Sequence, residues 1–114
     1  MAKKITPESV LLELRKHKGK ANGINVKRLV AAILLGPTTS MDERHARLAV
    51  STLREHGHPI CASPRSGYFY ATTTAEIEQT CEFLYVRAMH SLNQVAQLKK
   101  KALPDIRGQL GLKL

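Results

Sequence analysis

Only one part of this 114-residue chain has the composition of paired strands. "PICAS" (59–63) alternates Ile60 and Ala62 with Cys61 and Ser63, and "GYFYAT" (67–72) carries the strand formers Tyr68, Phe69 and Tyr70. Pro64-Arg65-Ser66-Gly67 joins them as a turn, with Gly67 free to take positive φ. Two strands alone are barely stable in water, so this hairpin has to pack on helices. The rest of the chain reads as helix. The expected fold is mainly α with one small β-hairpin.

Three helices precede the hairpin. Thr6-Pro7-Glu8 has the form of a helix start, and Val10, Leu11 and Leu14 make an apolar face up to about His17, before Gly19. "KGKANG" (18–23) follows as a basic loop. Asn25 caps a second helix through Leu35, whose apolar positions Val26, Leu29, Val30, Ile33 and Leu34 recur at three-and-four spacing; Gly36-Pro37 stops it. Ser40 with Glu43 is a capping box for a third helix, which ends at Gly57. Its core face would be Ala46, Ala49, Val50 and Leu53, with Arg44, Arg47, Ser51 and Arg54 on or beside the other face. With no Trp in the chain, the core is built from Leu, Ile, Val and Ala.

After the hairpin, Thr73 with Glu76 is a further capping box, and a helix over about 75–102 spans near 40 Å. Ile77, Cys81, Leu84, Ala88, Leu92 (or Ser91), Val95, Leu98 and Ala102 recur at spacings of three and four. That stripe is longer than a small domain can cover, so Leu84, Ala88, Leu92, Val95 and Leu98 are candidate dimerisation residues. The alternative is a break near Ser91-Leu92-Asn93 with the chain folding back. The expected organisation is 1–73 as the domain, 74–103 as the long helix and 104–114 as a tail after Pro104.

Charge narrows the class of partner. The chain carries 18 Lys and Arg against 9 Asp and Glu, a formal net charge of +9. Residues 1–35 hold eight of the cations and two of the acids, so the excess is a patch. A basic patch points to a polyanion, most often nucleic acid. Cys61 and Cys81 are not closely spaced, and read as reduced thiols in a cytoplasmic protein, small and buried. "MAKKITPES" has no apolar signal core and no apolar run reaches membrane-spanning length, so no membrane association is expected.

The third helix closes with Leu53-Arg54, then Gly57, Pro59-Ile60 and the Gly67-Tyr68 strand. That succession, after three helices, resembles the winged helix-turn-helix domain of bacterial and phage proteins over roughly residues 6–72. The resemblance implies that the hairpin is a wing packed on the third helix, and that this helix enters the DNA major groove. The short, Pro-Thr-rich connection at 36–40 departs from the usual pattern.

The residues themselves support a DNA surface. A capped helix N-terminus offers N–H groups and positive potential to a phosphate, and Thr38, Thr39 and Ser40 add hydroxyls. Arg44 and Arg47 are one turn apart and reach guanine edges or phosphates, with His45, Leu48, Ser51 and Thr52 as neighbours. Arg65 at the hairpin tip suits a minor groove or a phosphate, and Lys27 and Arg28 suit backbone contact. The plain alternatives are a solvated face with Arg44 and Arg47 paired to Asp42 and Glu43, a core role for Leu48, and an ornamental Arg65.

Other chemistry is set aside. His56, His58 and Cys61 fit no common zinc spacing, and there is no nucleophile elbow, phosphate loop or paired carboxylate in an apolar setting, so neither a metal, a cofactor nor an enzyme is expected. In the tail, Gln109, Leu112 and Leu114, with Leu110 between them, resemble the peptides by which bacterial proteins bind the DNA polymerase sliding clamp. The expected function is sequence-specific double-stranded DNA binding as a homodimer, in transcription regulation or DNA replication control of a bacterium, phage or plasmid, at the nucleoid. The rival is an interaction adaptor or inhibitor docking on a replication protein such as the clamp through the tail.

Overall fold

The computed structural model describes residues 4–102. Its order is α1 (Pro7–Leu14), a 3-10 turn (Lys20–Asn22), α2 (Val26–Leu34), α3 (Ser40–Glu55), β1 (Ile60–Ser63), β2 (Gly67–Tyr70) and α4 (Thr74–Ala102). The architecture is mainly helical, with one two-stranded antiparallel hairpin and a long C-terminal helix. Contacts divide the chain after Thr80, so the first turns of α4 belong to the same unit as α1–α3 and the hairpin, and a second unit begins at Cys81.

The core of the first unit joins Val10 and Leu14 of α1, Leu29, Val30 and Ile33 of α2, Ala46, Ala49, Val50 and Leu53 of α3, and Ile60 of β1. Each set sits at helical spacing on one face, so burying it excludes water from three amphipathic helices at once. The hairpin pairs Ile60 with Tyr70, Cys61 with Phe69, Ala62 with Tyr68 and Ser63 with Gly67. Successive strand residues face opposite sides, and here both sides are covered. Ile60, Tyr68 and Tyr70 pack on the helical core, while Cys61 and Phe69 are buried on the other face. Thr80, from α4, is buried there too; its hydroxyl accepts the Ala62 N–H at 3.3 Å. Of the two cysteines expected to be buried, Cys61 is, whereas Cys81 is exposed.

The segment between α1 and α2 is more than a loop. Ile24 bridges Tyr68, with N–H to O distances of 2.8 and 2.7 Å in the two directions, and Lys18 bridges Tyr70. The hairpin thus gains a third partner, which relieves the weakness of two isolated strands. This pairing also explains why α1 stops at Leu14 instead of near His17. The His17 carbonyl accepts from Tyr70 N–H at 2.8 Å, and Gly19 N–H donates to the Tyr70 carbonyl at 2.9 Å, so residues 17–19 are drawn into the sheet.

The helix starts are capped by side chains. Thr6 and Ser9 exchange bonds at α1, and the Asn25 carboxamide oxygen accepts Arg28 N–H at 2.8 Å at α2. α2 ends one residue earlier than expected, because Leu35 takes a left-handed conformation with φ 58°. At α3 the capping box is Thr39 with Asp42, one residue earlier than Ser40 with Glu43. Both pairs have the same spacing, and the carboxylate that reaches back is that of Asp42.

Glu76 ties the 3-10 turn to the start of α4. Its carboxylate accepts backbone N–H groups from Thr72 (2.8 Å), Thr73 (3.3 Å) and Lys20 (2.8 Å), and the Thr72 hydroxyl at 3.1 Å. The Thr72 and then the Lys20 backbone N–H groups hold its pKa below the ordinary glutamate value. The unfolded chain therefore binds the Glu76 proton more readily than the folded one, so stability from this group is present above the ordinary carboxylate range and is lost as pH falls through the lowered pKa. Urea midpoints measured across that acid range should fall more steeply for the native chain than for Glu76→Gln, which has no proton to gain. Parallel curves would contradict this.

Candidate nucleic-acid interface

α3 presents two contrasting faces. Ala46, Ala49, Val50 and Leu53 point into the core, and on the opposite side Arg44, Leu48, Ser51 and Glu55 follow one another at spacings of four, three and four. Ser40 and Arg47 flank this line on one edge, Met41 and His45 on the other, and all are exposed. Leu48 is 56% exposed, so the core alternative for it does not hold. Met41, 55% exposed, belongs to the same surface. It was not among the expected residues, although its spacing of three and seven to Arg44 and Leu48 carries the signal. A shallow hollow of about 190 Å³ beside this face is lined by Ile5, Pro7, His45, Leu48, Ala49 and Thr52.

Charge along the face is graded. Glu55 closes its C-terminal end, where an acid and the negative end of the helix dipole both repel phosphate, so the stretch suited to a polyanion is Ser40–Ser51. Arg44 has no ion-pair partner among the described residues. Arg47 lies 3.7 Å from Glu43 with 56% of its side chain exposed, a loose pair that a phosphate or base edge can displace.

One expected contribution is altered. The Thr39 hydroxyl accepts Asp42 N–H at 3.2 Å and donates to the Asp42 carboxylate at 3.0 Å. Thr39 is therefore a capping residue, and the α3 N-terminus already holds a carboxylate where a phosphate was envisaged. Arg54 turns from the outer face towards β1, donating from Nε to the Ile60 carbonyl at 2.8 Å; its buried Nη2 has no hydrogen-bond partner among the described residues. Ser51 leans on its own helix, donating to the Arg47 carbonyl at 3.4 Å.

The second cationic group comes from the hairpin tip and α2. Ser63 Oγ accepts Ser66 N–H at 2.9 Å and closes the turn that carries exposed Arg65. That turn lies against the segment entering α2. A Cβ on Gly23 would sit 2.1 Å from the Ser66 carbonyl oxygen, and one on Gly67 would sit 2.4 Å from that of Ile24. Three and four residues after Ile24, Lys27 and Arg28 are exposed in the first turn of α2, which holds no acid. Two cations at the positive end of a helix are unfavourable for that helix alone, which makes them a signal of an external anion.

The remaining expected positions divide in two. Leu84, Ala88, Leu92, Val95 and Leu98 are exposed on α4. Gln109, Leu110, Leu112 and Leu114 lie outside the described residues. Among the described residues no group of three or more His, Cys, Asp or Glu is placed to hold a metal ion, and no helix is long and apolar enough to cross a membrane. Compared with protein-family models, with curated proteins and with solved structures, the chain matches none.

Proposed function

We propose that this chain is a winged helix-turn-helix protein that binds double-stranded DNA sequence-specifically, in control of transcription or replication. α3 enters the major groove, the β1–β2 turn is the wing, and the start of α2 rests on the phosphate backbone. The observation that carries the reading is the outer face of α3. A helix whose inner face completes the core presents Ser40, Met41, Arg44, Arg47, Leu48 and Ser51 outward in a protein of net charge +9. Arg44 and Arg47 supply donors for guanine edges, and Met41 and Leu48 supply apolar contact for thymine methyl groups. Lys27, Arg28 and Arg65 contact phosphates, which sets position and affinity without reading sequence.

Fluorescence anisotropy of a labelled random duplex across a salt series tests this reading. If Lys27, Arg28 and Arg65 each neutralise one phosphate, the slope of log affinity against log salt should be about −2.7. Absence of binding at low salt would overturn the reading.

A further inference from the structure

α4 is one uninterrupted helix from Thr74 to Ala102, so a break at Ser91-Leu92-Asn93 does not occur. Along it, Ile77, Cys81, Leu84, Ala88, Ser91, Val95 and Leu98 alternate spacings of four and three throughout, the repeat of a two-stranded coiled-coil seam. None of these positions is charged. From Cys81 on, all of them are exposed, Leu98 by 69%, and Tyr85 and Leu92 beside the seam are exposed by 62% and 54%.

We infer that the partner of this seam is the α4 helix of a second copy, and that the two run antiparallel. The charges decide the direction. The acids of α4, Glu76, Glu78 and Glu82, all lie in its first three turns; from Arg87 on it carries Arg87, Lys99, Lys100 and Lys101 and no acid. Parallel pairing would gather like charges at each end, and would set Arg87 beside Leu92 and Gln94 beside Lys99 along the flanks. Antiparallel pairing places each acidic half on a basic half and opposes the two helix dipoles.

A single register satisfies the whole seam. With Ala88 opposite the second copy's Ser91, Leu84 falls opposite its Val95 and Cys81 opposite its Leu98. The small Ala88 and Ser91 layers then let the two backbones approach closely at the centre. On one flank Tyr85 lies beside the second copy's Leu92 and covers those small layers. Further out on the same flank, Glu78 lies beside the second copy's Lys99. Within one helix Glu78 and Lys99 are about 31 Å apart, so they meet only between copies.

Sedimentation of the full chain, native and charge-swapped, reads this pairing. The native chain should be dimeric. Glu78→Lys alone and Lys99→Glu alone should each raise the dimer dissociation constant about fivefold, and the two together should restore it to within about twofold. A monomeric native chain, or a double variant no better than the single ones, would overturn the proposal. Oxidation gives a second reading that does not depend on the charges. The native chain should form no Cys81–Cys81 bond, because antiparallel pairing sets these residues about 26 Å apart along the axis. Leu98→Cys should give a covalent dimer that Cys81→Ser abolishes. A Cys81–Cys81 dimer of the native chain would show parallel pairing instead.

Discussion

Replacing Arg44 and Arg47 together by alanine is expected to weaken duplex DNA binding by about 3 kcal/mol, roughly 150-fold, with little change in stability. Both side chains project from the face of α3 opposite the core, so their loss opens no cavity. The only described interaction removed is the loose Glu43–Arg47 pair, and an exposed pair at this spacing contributes about 0.3–0.5 kcal/mol. Anisotropy titration beside a urea melt separates the two effects. Lys27→Ala with Arg28→Ala is the contrasting variant. It should lower affinity about equally for all sequences and flatten the salt slope by about 1.8, because phosphate contacts carry no sequence information. If Arg44→Ala/Arg47→Ala binds like the native chain, α3 is not the reader.

Gly67→Ala is expected to have the largest effect on folding, a loss of about 3 kcal/mol or more in a domain whose whole stability is of order 5–15 kcal/mol. Two costs combine. Gly67 has φ 78°, which costs an L-residue about 1–2 kcal/mol. The added Cβ would also lie 2.4 Å from the Ile24 carbonyl oxygen and 2.7 Å from Asn25 N. These are backbone atoms, and they can retreat only by breaking the paired Ile24–Tyr68 hydrogen bonds. Gly57→Ala is the control. Gly57 has φ 89° but open space around its Cβ direction, so it should lose only the conformational part, about 1–2 kcal/mol. Urea denaturation of the two variants isolates the close approach; equal losses would show that Ile24 does not crowd Gly67.

The same close approach marks where sequence reasoning stops. The third partner of the hairpin is made by Lys18 and Ile24, which stand in a stretch with Gly19, Lys20, Asn22 and Gly23 and none of the β-branched or aromatic run that announces a strand. Nothing local distinguishes it from a basic loop, because its hydrogen bonds go to residues more than forty positions away. The end of α1 is hidden from local reading for the same reason, since residues 17–19 are committed to Tyr70. The α3 cap was ambiguous for a different reason. Thr39 with Asp42 and Ser40 with Glu43 offer the same spacing, and only the path of the chain out of Leu35 decides between them.

The candidate interface divides in a similar way. That Arg44, Arg47 and Ser51 leave the core face of α3 follows from helical spacing alone, and so does the exposure of Leu48 and Met41. The turn of Arg54 onto the Ile60 carbonyl does not follow from spacing, because it depends on where β1 lies.

Apart from the α3 cap, the features the sequence determined by itself have a physical cause that acts within a turn or two of helix. These are the number and order of helices, the capping by Thr6, Asn25 and Thr73, the glycine after α3, the hairpin, and the charge asymmetry of α4. Tertiary structure alone decided which backbone groups far apart in sequence meet. The Lys18 and Ile24 rungs on β2, the Glu76 link to Lys20, the burial of Cys61 but not Cys81, and the seating of the Arg65 turn against the start of α2 all depend on helices first packing their apolar faces. That packing is set by shape and exclusion of water across the whole unit, and leaves no local signature in the residues it brings together.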